Sequence, residues 1–138
     1  MKECLICKWM REKENVVYYD DSIVVIIPEL SYVKYHLLIC PKEHIESIFD
    51  MPKDEYIKLF DVMKKIGKLM ENKLGADATR YTLNNNHLRV SKSSMHIKHV
   101  HIQVFPCFGE LTDITGTQRK KLNKEEISET KKEILKHV

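Results

Sequence analysis

The chain has no apolar run near the ~20 residues a membrane span needs, no internal repeat, no low-complexity stretch and no interdomain linker. It also has little charge of either sign in excess. A formal net charge of +3 over 138 residues favours anionic small molecules slightly, and it falls short of the basic footprint of a nucleic-acid binder. Four cysteines in a chain this long do not make a disulfide scaffold. The opening residues, Met1-Lys2-Glu3-Cys4-Leu5-Ile6-Cys7-Lys8, lack the longer apolar region of a secretion signal. The expectation is therefore a cytoplasmic protein with reduced thiols. What is there suits one domain over residues 1–138: 43% of residues are hydrophobic, enough for a real core, and 31% are charged.

The order of elements points to the α+β class. Leu5 to Glu14 can form a short helix. Val16 to Tyr19 and Ser22 to Ile27 read as a hairpin turned at Asp20-Asp21, and Pro28-Glu29-Leu30-Ser31 breaks it. Tyr35 to Cys40 is a further strand, stopped by Pro41, and His44 to Asp50 a helical turn. Pro52 and Asp54 open the strongest helix. Ile57, Phe60, Met63, Ile66, Met70 and Leu74 step by three or four along it as one apolar stripe, and Gly75 is placed to end it. Thr79 to Asn84 reads as a strand, His87 to Ser94 as a polar loop, and Ile97 to Phe105 as another strand. Asn123 with Glu126 three residues on predicts a capped helix to about His137. Strands with inserted helices, beginning with a hairpin, predict an antiparallel sheet of about five strands with one long and one C-terminal helix.

Two patterns carry chemistry. In His99-Val100-His101-Ile102-Gln103-Val104-Phe105-Pro106, polar and β-branched residues alternate at period two. That spacing puts two imidazoles and an amide on one face of a strand, roughly 7 Å from each to the next. Val100, Ile102 and Val104 turn the other way, toward a core. Packing alone rarely lines up two histidines like this. The second pattern is Cys4-x-x-Cys7, which can be half of a zinc site or a redox couple. The redox reading needs a preceding strand, and only three residues precede Cys4. Zinc needs two more ligands, and Cys40 and Cys107 stand alone. His36, His44, His87, His96, His99, His101 and His137 are all candidates, and spacing does not choose among them. The plain alternative is two reduced cysteines packed beneath a short helix. His36, alone on a strand, is by itself an ordinary structural histidine, and His87 and His96 read as loop residues.

Taken together the pieces resemble the histidine-triad (HIT) family of nucleotide hydrolases and transferases. The triad run matches at His99, His101 and Gln103, with Pro106 fixing the register. The N-terminal half is similar too, in Cys-x-x-Cys, the strand pair around Tyr19-Asp20-Asp21-Ser22-Ile23-Val24, and His36-Leu-Leu-Ile-Cys-Pro-Lys-Glu-His44. The resemblance covers about residues 3–107, leaving 108–138 as a helical tail. It implies a structural zinc ion on Cys4, Cys7, His44 and His99. It implies His101 as the nucleophile that takes a nucleotide from its α-phosphorus as a phosphoramidate, and His36 as a supporting residue near the phosphate. It also implies a homodimer, with the long helix and an edge strand at the interface.

Departures from the family pattern narrow the expectation. Gln103 stands where the third histidine belongs. An amide can donate to a phosphate oxygen, and it cannot pass a proton at neutral pH. The same His-x-His-x-Gln pattern is similar to the galactose-1-phosphate uridylyltransferase and dinucleoside polyphosphate phosphorylase branches. The resemblance thus implies a leaving group that departs as an anion, as from a dinucleoside polyphosphate. Pro28 occupies the place of the usual ribose-binding Asp or Asn, with Glu29 beside it. Ser94-Met95-His96 replaces the usual Gly-Gln-Ser/Thr, leaving Ser94 and loop amides for phosphate. Asn84 and Asn86 resemble the family's asparagine after the preceding strand. A binding or regulatory module without turnover is the alternative from another class.

Overall fold

In a computed structural model describing residues 3–90, 97–114 and 119–138, five strands form one antiparallel sheet. They are β1 (Val16–Tyr19), β2 (Ile23–Ile26), β4 (Leu37–Pro41), β5 (Ala78–Leu83) and β6 (Ile102–Cys107), in the order β1-β2-β4-β6-β5. A two-residue strand β3 (Leu30–Ser31) pairs with another, β7 (Lys120–Lys121), outside that sheet. The helices are α1 (Leu5–Glu12), α2 (Lys53–Lys73) and α3 (Lys124–Leu135). The hairpin turn forms because the Asp20 carboxylate accepts the amide hydrogens of Ser22 and Ile23, both at 2.8 Å.

Helices cover both faces of the sheet. On one side α2 and α3 close the larger core, where Ile66, Met70, Ile127 and Ile134 pack on Val25, Leu37, Ile39, Ile102 and Val104. On the other, Ile6 and Trp9 of α1 pack on Val24, Ile26, Leu38 and Cys40. β2 and β4, buried throughout, supply both layers. The cap of α3 is the predicted one: Asn123 accepts from the Glu126 amide at 2.8 Å and the Glu126 carboxylate accepts from the Asn123 amide at 3.2 Å. Gly75 follows α2 at φ 80°, the left-handed conformation that its place predicts.

Two expectations are corrected. The buried face of α2 is Leu59, Val62, Ile66, Leu69 and Met70, whereas Ile57 is 45% and Phe60 48% exposed. The helix carries two apolar stripes of the same period, and the predicted one is partly the outer. The last long strand begins at Ile102, not Ile97. β5 ends at Leu83 opposite Ile102, and the Val100 amide donates to the Ile45 carbonyl at 2.8 Å instead of to a strand. The alternation still holds, with Val100, Ile102 and Val104 all in the larger core. Within the predicted polar loop, His87–Arg89 makes one turn of 3-10 helix; the rest, including Ser94 and His96, lies outside the described residues.

Candidate functional site

At one end of the sheet, α1 brings Cys4 and Cys7 against two histidines. Cys4 is the N-cap residue of α1 and Cys7 lies one turn along it. His44 follows β4, and His99 sits just before β6 at 1% exposure. The donor atoms of the four residues all lie within 4.8 Å of one another. His44 Nδ1 and His99 Nδ1 are 3.2 Å apart. Cys7 Sγ is 3.4 Å from His44 Nδ1 and 3.6 Å from His99 Nδ1, and Cys4 Sγ is 3.5 Å from His99 Nδ1. Ordinary zinc bonds in a tetrahedron set nitrogen–nitrogen edges of about 3.3 Å and sulfur–nitrogen edges of about 3.6 Å. The cluster therefore has the size and the donor chemistry of a Cys₂His₂ metal site.

The outer contacts agree. His99 Nε2 donates to the Pro41 carbonyl at 2.8 Å, so Nδ1 presents its lone pair to the cluster. His44 Nε2 lies 3.4 Å from the Glu46 carboxylate, which favours the same tautomer. Burial holds the His99 imidazole down to about 4, so it is neutral at physiological pH. Burial, followed by the hydrogen bond and charge of Cys4, pushes the Cys7 thiol up to about 11.

A cavity of about 330 Å³ opens on the α1 face of the sheet. Its floor is one row across three strands: Leu38 of β4, Gln103 of β6 and Thr82 of β5, which are register partners. Phe105, two residues beyond Gln103, shares that face, and His101 and His36 line it from the segments preceding β6 and β4. His101 Nδ1 is 2.7 Å from the carbonyl oxygen of His99. A carbonyl only accepts, so Nδ1 carries the hydrogen, and in the neutral ring the lone pair lies on Nε2. His36 Nε2 lies 3.1 Å from Gln103 Oε1, also an acceptor. His36 therefore donates there, and the amide NH₂ of Gln103 remains as a donor. The His36 ring, 3% exposed and 4.4 Å from that of Phe105, is held by burial at about 3, hence neutral. Among the described residues, His36 Nδ1 and Thr82 Oγ1 are buried polar atoms without a hydrogen-bond partner. Two such atoms in one cavity wall suit a site that receives a polar ligand.

Asn84 lines the cavity. Asn86 does not: it adopts a left-handed turn at φ 55° and lines a neighbouring depression beside Phe49 and Lys98. Pro28 and Glu29 both reach the cavity, and Glu29 accepts from the Trp9 indole at 3.4 Å. Sequence reading missed His87, whose ring centroid is 6.3 Å from that of His101. The pairing of Leu83 with Ile102 is the signal that finds it, because whatever follows β5 lands beside His101. It also missed Ile114 and Arg119 from the tail, which both line the cavity.

Comparisons with known proteins agree with this architecture. An uncharacterised HIT-like protein of Methanocaldococcus jannaschii is 31% identical over 105 residues, covering 75% of this chain and 78% of its own length. The bis(5'-adenosyl)-triphosphatase of Dictyostelium discoideum is 20% identical over 98 residues, 71% of this chain and 63% of its own. The crystal structure of a zinc-bound histidine triad family protein from Mycobacterium smegmatis superimposes with a TM-score of 0.74 at 18% identity, covering 97% of this chain and 94% of that one. That identity speaks for the fold alone. Residues 10–110 match the HIT domain, and the chain belongs to that family.

Proposed function

We propose that this protein cleaves phosphoanhydride nucleotides through a nucleotidyl-histidine formed at His101. The observation that carries the reading is the 2.7 Å contact of His101 Nδ1 with the His99 carbonyl, which in the neutral ring assigns the nucleophilic lone pair to Nε2 on a cavity wall. In the first step the Nε2 lone pair forms a bond to the α-phosphorus. The bridging P–O bond breaks and its electron pair stays on the departing phosphate oxygen. Nδ1 keeps its hydrogen throughout. In the second step a water or phosphate oxygen attacks phosphorus and the P–N bond breaks, its electron pair returning to Nε2; where water attacks, its proton leaves to solvent. Gln103, held by His36, turns its NH₂ to a phosphate oxygen and moves no proton. Asn84 and, outside the described residues, Ser94 remain candidates for the nucleotide, and Glu29 for the ribose hydroxyls beside Pro28.

Cys4, Cys7, His44 and His99 would hold a structural zinc ion. A closed four-ligand site supplies folding energy and fixes the His99 backbone; it offers no open position for a reacting water.

The substrate class follows from Gln103. An amine leaving group needs a proton, and general acid catalysis is worth about 10²-fold or more. Turnover of a dinucleoside polyphosphate should therefore exceed that of a nucleoside phosphoramidate by about tenfold at least. Both substrates should be assayed with and without added phosphate, which separates hydrolysis from phosphorolysis. Faster cleavage of the phosphoramidate rejects the reading, and tight binding with no turnover of either favours a binding module.

We also propose that residues 1–138 fold as one unit, because Ile127 and Ile134 of α3 enter the same core as the sheet. Homodimerisation across α2 and the edge strand β5 is supported by the exposed stripe of Ile57 and Phe60 and by Tyr81, 37% exposed on β5. Phe60→Glu should weaken the dimer at least about tenfold, or ~1.4 kcal/mol, by sedimentation analysis. A monomeric wild type would overturn this. Among the described residues, no helix is long and apolar enough to cross a membrane.

A further inference from the structure

We propose that Arg119, delivered by the C-terminal tail, is the residue that binds the departing phosphate of the substrate. This deepens the proposed function and rests on it. Arg119 lies immediately before β7, and three contacts fix that strand. Ser31 and Leu30 of β3 pair with Lys120 and Lys121, the Leu122 amide donates to the Glu29 carbonyl at 2.7 Å, and Lys120 pairs with Glu126 of α3. The guanidinium carbon stands 5.6 Å from the ring centroid of Tyr32, which packs edge-on against Phe105 at 5.7 Å. Arg119 thus lines the same cavity as His101 and Gln103.

The charge balance of the cavity makes this position matter. Among the described lining residues Arg119 is the only Lys or Arg, and Glu29 is the only Asp or Glu. A dinucleoside polyphosphate brings several negative charges, and one more appears on the leaving oxygen as the bridging bond breaks. The neighbouring His36 is neutral, held at about 3 by burial, and Gln103 is an amide. An arginine fork meets phosphate oxygens with two parallel hydrogen bonds and a permanent charge. It stabilises the leaving group without the proton that Gln103 cannot give.

The test has a turnover arm and a binding arm. For turnover, Arg119→Ala and Arg119→Lys are compared with wild type on a dinucleoside polyphosphate and on a nitrophenyl ester of the same nucleotide. The phenolate of the ester delocalises its own charge and needs no cation. Arg119→Ala should lower kcat/KM for the polyphosphate by about 10- to 100-fold and change that for the ester by less than about threefold. Arg119→Lys should recover part of the loss. Equal losses on both substrates, or none on either, overturn the proposal. For binding, calorimetry with a nucleoside diphosphate and the matching monophosphate needs no turnover. Wild type should prefer the diphosphate by about tenfold and Arg119→Ala should erase the preference while keeping monophosphate affinity, which also shows that the variant folds. If wild type turns over neither substrate, the proposed function fails and this arm alone decides Arg119: no preference in wild type, or one that survives in the variant, overturns it.

Discussion

His101→Ala should abolish covalent labelling by an α-labelled dinucleotide and lower kcat by about 10³-fold or more, since removing a nucleophile ends the two-step route. The label on wild type should be acid-labile, as a phosphoramidate is. The substitution itself should cost little stability. His101 is half-buried, and its hydrogen bond to the neighbouring His99 carbonyl is local. Loss of labelling with an unchanged melting temperature assigns the chemistry to His101. Labelling that persists in the variant would place the nucleophile elsewhere, and His87, whose ring faces that of His101, would be examined next.

Stripping the metal should have the largest effect on stability. A ligand present at about 10³ times its dissociation constant stabilises the native state by about 4 kcal/mol. For a chain of this length that is a fall of roughly 10–20 °C in Tm. Cys4→Ser should reproduce the fall in the presence of zinc, and metal analysis of the purified protein should give one zinc per chain. Activity should fall alongside, because the His99 carbonyl that orients His101 belongs to a residue whose side chain is in the cluster. Absence of zinc from the purified protein, together with an unchanged Tm for Cys4→Ser, would remove the metal from the account.

Much of this architecture is legible in the sequence because it rests on short-range rules. β1 spans Val16–Tyr19 as predicted, the Asn123–Glu126 cap starts α3, and Gly75 ends α2. The alternation around His101 separates core from cavity residue by residue. The four-residue cluster was legible only through the family resemblance, because seven histidines compete for two places. What escaped depends on distant pairings. The strands at Leu30–Ser31 and Lys120–Lys121 are two residues each and show no period. Their pairing is nonetheless what carries Arg119 to the cavity. The phase of α2 escaped because Leu59, Val62, Ile66 and Leu69 repeat with the same spacing as Ile57, Phe60 and Met63, and only the sheet beneath decides between them. The onset of β6 escaped because the end of β5 at Leu83, 19 positions back from Ile102, sets it.

The separation of Cys4 and His99 by 95 positions also constrains how the chain assembles. Closing a loop of that length in a flexible chain costs about 4 kcal/mol of entropy, from (3/2)RT ln n. As the polypeptide emerges, a zinc ion captured early would find two thiolates and then His44. The fourth donor arrives only once β5 and α2 have been made. The final coordination bond would thus be a late event that requires most of the sheet to be in register, and a filled cluster would report that the surrounding structure has been completed.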